Sequence, residues 1–180
     1  MSFSRNAFTL VEIMIVIAII GILFMVVSVP YGYYTERARV QDAKNQIEQL
    51  WTLAHQTARN GSVITGTENA NLLLVITKDA KTINLYSVPL TVNLETLRNT
   101  SIFPTGEMQL RDSVRLDPLL IKSIEEDGTT MNHASYFIES PNGTGTFLEN
   151  PDISRIVVTV GYENGSLESG RAREIQLFRQ

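Results

Sequence analysis

The sequence predicts an α+β chain in which one long N-terminal helix, membrane-spanning in its first half and amphipathic in its second, packs on a β-rich globular head. Three observations predict it: an uncharged apolar run from Ile13 to Val29, a helical spacing of apolar residues from Ala43 to Ala58, and short β-like runs beyond Gly61. The expected divisions are 1–7, a short leading segment; 8–30, the hydrophobic helix; 31–61, its amphipathic continuation; and 62–180, the head.

The apolar run reads IMIVIAIIGILFMVVSV, 17 residues without a charge, and Phe8 and Leu10 extend it towards the N-terminus. With its flanks it reaches the roughly 17–25 residues a helix needs to cross a bilayer. A secretory signal peptide is the first alternative, with Arg5 upstream and Val26-Val27-Ser28 as a loose cleavage site. Against it, the run exceeds the usual h-region of about 7–15 residues and no A-x-A follows. Charge leaves the orientation open, because Arg5 flanks one side while Arg37, Arg39 and Lys44 flank the other. Glu12 stands at the edge of the run. An ionisable group at membrane depth is costly and by default implies a partner, although a place at the headgroup level would also satisfy it.

The string Ala7-Phe8-Thr9-Leu10-Val11-Glu12, followed by the apolar helix, resembles the type IV prepilin signature: a short basic leader, a small residue, then F-T-L-x-E. The resemblance extends to type II secretion pseudopilins and implies a type IV pilin-like fold. It implies cleavage between Ala7 and Phe8 by a prepilin peptidase, N-methylation of Phe8, and assembly into a filament through Thr9, Glu12 and the apolar helix. It also implies the partners: other pilin or pseudopilin subunits, the peptidase/N-methyltransferase, an inner-membrane assembly platform and membrane lipid. The expected location is the cytoplasmic membrane with the head outside, then an extracytoplasmic filament. One departure stands out: the family usually has glycine before the cut, and this chain has Ala7.

Gly21 and Pro30 fall where family members place a glycine and a proline that let the helix loosen in a filament. Proline cannot donate to the carbonyl of Val26, and glycine adds backbone freedom; an ordinary membrane-helix kink remains the alternative. Tyr31, Tyr33 and Tyr34 suit a membrane interface equally well.

Beyond the tyrosines, Ala43, Ile47, Leu50, Trp51, Ala54 and Ala58 make one apolar helix face, surrounded by Glu36, Arg37, Arg39, Lys44 and Glu48. Asn60-Gly61 supplies a C-terminal cap. The helix is therefore expected over Phe8–Asn60, about 80 Å at 1.5 Å per residue. Strands are expected over Leu72–Thr77, Thr82–Val88, Tyr136–Glu139, Ile153–Val160 and Glu174–Phe178, with turns at Asp79-Ala80, Asn142-Gly143 and Asn164-Gly165. The stretch from Val92 to Ile124 shows no clear pattern. Leu53–Gly61 and Phe137–Phe147 resemble the helix end and the C-terminal sheet of H-type minor pseudopilins.

Composition removes several functions. The chain has no cysteine, which excludes disulfides, thiolate catalysis and cysteine-based metal centres. Loss of Arg5 with the leader would leave 14 basic against 19 acidic residues, so nucleic acid is not an expected partner. A DNA-capturing competence pilin, resting on Arg171-Ala172-Arg173, is nonetheless one alternative. A membrane-anchored extracellular enzyme is another, but His55 and His133 stand isolated and no nucleophile motif, HExxH or phosphate loop appears. No catalytic residue, metal site or cofactor is therefore expected. Glu125, Glu126, Asp127, Glu149 and Asp152 offer oxygen ligands for calcium, but match no EF-hand.

Overall fold

The computed structural model describes residues 9–60, 70–92, 94–99 and 108–179. The chain divides into two compact units, 1–38 and 39–180, and the division falls within helix α1, Leu10–Arg59.

In the first unit α1 is helical through Gly21 and Pro30. Its 18-residue apolar window has a mean hydropathy of 3.1, long and apolar enough to cross a membrane, and none of it is buried within the chain. Exposed side chains occur on all sides, including Val11, Met14, Ile17, Ile20 and Phe24. A helix apolar all round and uncovered by its own chain must be covered by lipid or by other protein.

The second unit begins with the rest of α1. Val40, Ala43, Ile47, Leu50, Trp51, Ala54 and Ala58 are buried, so the apolar face expected from their spacing is the face that packs. Two antiparallel sheets meet it. The first has the order β3 (Gln109–Arg115), β2 (Thr82–Pro89), β1 (Ala70–Thr77), β6 (His133–Ile138), β7 (Gly145–Phe147). The second has the order β5 (Thr129–Met131), β4 (Leu120–Glu126), β8 (Arg155–Gly161), β9 (Ala172–Phe178). Leu72, Leu74 and Ile76 of β1, Tyr136 and Ile138 of β6, Ile156, Val158 and Val160 of β8, and Ile175 and Leu177 of β9 join the helix face in one core.

The other face of the first sheet is covered too. Leu73, Tyr86, Val88 and Phe137 form a second core with Met108, Leu148 and Leu97 of the short helix α2 (Leu94–Asn99). Cover on both faces explains why β1 reads ANLLLVIT, a nearly continuous apolar run rather than an alternating one.

All five expected strands are present. The unpatterned stretch from Val92 to Ile124 contains α2, β3 and most of β4 among its described residues. Strands β5 and β7, each three residues long, were not expected. Asp127-Gly128 joins β4 to β5 as a two-residue turn with positive φ at both positions, 45° and 83°, between paired Glu126 and Thr129. That is a D-G hairpin turn of the I′ kind, which needs left-handed backbone twice. The β1–β2 turn comes where expected, with Asp79 at φ 62°.

Candidate functional site

Ala7 and Phe8, the expected cleavage and methylation positions, lie outside the described residues. Thr9 and Glu12 are described and are bonded to each other. Thr9 is the N-cap of α1: its carbonyl accepts the Ile13 N–H at 3.3 Å, and its hydroxyl accepts the Glu12 N–H at 3.2 Å. Glu12 reaches back, its Oε2 accepting the Thr9 N–H at 2.8 Å and the Thr9 hydroxyl at 3.0 Å. This is a capping box, in which a threonine and a glutamate three residues on satisfy donors at the start of a helix. The T-x-x-E spacing advertises it, whereas the expectations for Glu12 were a charged partner or a place at the headgroup level, not the Thr9 cap. A Cβ placed on Gly21 would meet nothing within 4 Å, so no packing contact within the chain demands a glycine there.

Near the other end of α1 lies a buried aromatic cluster. His55, with only 2% of its surface exposed, packs against Trp51 with ring centroids 5.1 Å apart and against Tyr136 at 5.5 Å. Trp51 and Tyr136 are 4.3 Å apart, and Phe147 of β7 is 4.6 Å from Tyr136. His55 Nδ1 is 2.9 Å from the Trp51 carbonyl oxygen. A carbonyl only accepts, so Nδ1 bears the proton and Nε2 is left to accept from the Tyr136 hydroxyl, 3.3 Å away. Burial pushes the imidazole below its ordinary value; the Trp51 carbonyl pulls the other way, and the charge of Arg59 lowers it further. His55 is thus a satisfied core residue that joins helix to sheet.

Two segments distant in sequence meet at this place. The Ser140 hydroxyl donates to the Ala58 carbonyl at 3.2 Å, and the Arg59 side chain lies against Gly143. Gly143 has φ 69° and no room for a Cβ, which would come within 2.3 Å of Arg59 Cγ. The segments Leu53–Gly61 and Phe137–Phe147 are therefore in contact through their described residues.

The remaining candidates do not form a site. His133 Nε2 is 3.6 Å from Glu149 Oε1, while Glu149 Oε2 accepts the Ser135 N–H at 3.0 Å. The Asn150 amide donates to Glu126 Oε1 at 2.5 Å. Among the described residues no three His, Asp or Glu side chains come together as metal ligands would. Arg171 stacks over the Tyr162 ring at 5.3 Å, and the exposed Arg173 stands beside Glu174.

The comparisons with known proteins bear on the N-terminal segment. Residues 3–28 match the model of the prokaryotic N-terminal methylation motif. The N-terminal segment is thus similar to that of prepilin-type, N-methylated proteins. Two fimbrial proteins of Pseudomonas aeruginosa are each 39% identical to this chain over 61 residues, 34% of its length. The chain spans about 40% of the length of these curated relatives. No solved structure matches it significantly.

Proposed function

We propose that this pilin-like chain is a structural, non-enzymatic subunit of a type IV pilus or a type II secretion-like filament. The observation that supports it most is a coincidence: the methylation motif at residues 3–28 overlies a helix whose apolar surface is left uncovered by the rest of the chain. Lipid can cover such a surface before assembly and neighbouring apolar helices after it.

In this reading the leader 1–7 is removed by a prepilin peptidase between Ala7 and Phe8, and Phe8 is methylated on its new amine. The capping box holds the Glu12 carboxylate at the helix start through Oε2. The second oxygen then meets the Phe8 amine, which has a reference pKa near 8 and is mostly protonated at neutral pH. When that amine belongs to a neighbouring subunit, assembly depends on Glu12. Gly21 and Pro30 let the helix between them loosen on packing. The partners are other subunits, the peptidase/N-methyltransferase, an inner-membrane assembly platform and lipid. The chain resides in the cytoplasmic membrane with its head outside until it enters the filament.

The test is mass spectrometry of the N-terminal peptide from purified filaments, together with subunit stoichiometry. A methylated Phe8 N-terminus in a filament subunit is expected. An intact leader in assembled filaments, or cleavage after Ser28, overturns the reading.

A further inference from the structure

His55 is a titratable group sealed inside the head, with no part in the proposed assembly. It stands one turn before Arg59, the last residue of α1, and faces the sheet rather than solvent. Its two ring nitrogens are both engaged, one by the helix's own Trp51 carbonyl and one by Tyr136 of β6. This Tyr136 contact and the bond from Ser140 to the Ala58 carbonyl tie the last turns of α1 to β6 and the turn beyond it.

We infer that His55 makes this junction an acid-sensitive clasp: the neutral imidazole holds the end of α1 on the β6–β7 hairpin, and protonation releases it. A second proton enters at Nε2, which then becomes a donor facing a hydroxyl that had been donating to it. The Tyr136 hydroxyl must turn to accept, and it has little room. A Cβ built on Gly145 would lie 1.9 Å from Tyr136 Oη, which shows how closely the β7 backbone confines that end of the ring.

The charge itself is also unwelcome. Charged and titratable groups facing the ring are Arg59 from α1, a like charge, and Tyr136 from β6; Phe147 from β7 offers only an aromatic surface. Among the described residues no carboxylate offsets the new cation. Two effects act in the opposite sense. A helix C-terminus favours a cation, and the face of Trp51 can attract one. Burial outweighs them, since the net direction of the shift is downward and desolvation is its largest cause. The sign follows from linkage: the unfolded chain binds the proton more readily than the folded one. Stability is complete above the ordinary histidine value near 6.5 and falls as pH drops from there to the lower folded value.

The inference rests on the head alone and stands whether or not the chain joins a filament. Trp51, the only tryptophan, reports on it directly because its ring lies beside the imidazole. The experiment follows thermal unfolding and Trp51 fluorescence of the full chain in detergent micelles from pH 8 to pH 5. Wild type and His133→Gln should both lose melting temperature below the ordinary histidine value, with a matching change in fluorescence; His55→Gln should lose neither over that window. An acid-side loss that persists in His55→Gln, or disappears in His133→Gln, overturns the clasp. Should His55→Gln fail to fold, NMR titration of the His55 ring in the native chain decides. A midpoint below the ordinary value, accompanied by loss of the Tyr136 ring contacts, supports the clasp; a midpoint at or above that value, or unchanged contacts, refutes it.

Discussion

Trp51→Ala is the most direct test of whether the second half of α1 is a core element of the head. Trp51 is 6% exposed, lies 4.3 Å from the Tyr136 ring and stacks with Phe147 at 6.4 Å. A tryptophan buries about 150–250 Å², which at about 25 cal/mol per Å² corresponds to roughly 4–6 kcal/mol. That is an upper value, because real unfolded chains are partly collapsed. Core replacements of Phe or Trp by Ala cost about 3–5 kcal/mol, cavity included. Against a domain stability of about 5–15 kcal/mol this is a large share. For a unit of this size each kcal/mol moves the melting temperature by about 2–4 °C, so a fall of roughly 6–20 °C is expected. The assay is thermal melting of the full chain in detergent, followed by circular dichroism. Leu53→Ala is the control, since Leu53 is on the same helix but 47% exposed; it should cost less than about 1 kcal/mol. Equal losses for the two variants, or less than about 1 kcal/mol for Trp51→Ala, would refute the packing argument.

Gly145→Ala forces a methyl against a tyrosine ring that Trp51, His55 and Phe147 hold in place; overpacking of this kind costs about 1–3 kcal/mol, read as an earlier urea midpoint. Glu12→Gln keeps a capping-box residue but removes the charge, whereas Thr9→Ala removes the capping hydroxyl and keeps the charge. At equal membrane abundance, filament incorporation should fall further for Glu12→Gln, and the reverse order would assign assembly to the cap instead. Lys81→Ala breaks an exposed ion pair with Asp117, 2.8 Å apart, and should leave the melting temperature unchanged; a clear drop would show the pair to be structural.

Legibility in the sequence followed the physics of each element. The packing face of α1 could be read because its apolar residues recur at helical spacing; Val40, three residues before Ala43, extends the same spacing though the expected face began at Ala43, whereas His55 is polar by type and did not announce its burial. Strand β3, QLRDSVR, is an edge strand with only Val114 buried, and an exposed strand has no reason to alternate. Strands β5 and β7 are too short for periodicity, although Asp127-Gly128 marked the first of them. The Thr9–Glu12 box was present in the spacing of two residues. By contrast, the contact of His55 with Tyr136 spans 81 positions, and no local pattern specifies a pairing at that range.

At the tip of the β1–β2 hairpin, the Asp79 N–H donates to the Ile121 carbonyl at 2.7 Å, and the Ile121 N–H donates to the Ala80 carbonyl at 3.1 Å. Just beyond, the Leu116 N–H donates to the Lys81 carbonyl at 2.8 Å. The two Ile121 bonds sew the turn of one sheet to the first residues of the other, main chain to main chain, while the Leu116 bond extends the β2–β3 pairing within the first sheet. Main-chain bonds are independent of side-chain identity, so substitutions along this seam can change charge or size without unpicking it. Only a residue that cannot donate, a proline at 79 or 121, would open it. The two sheets therefore share a boundary that tolerates sequence drift while still passing a displacement from one to the other, as a hinge pin joins two leaves.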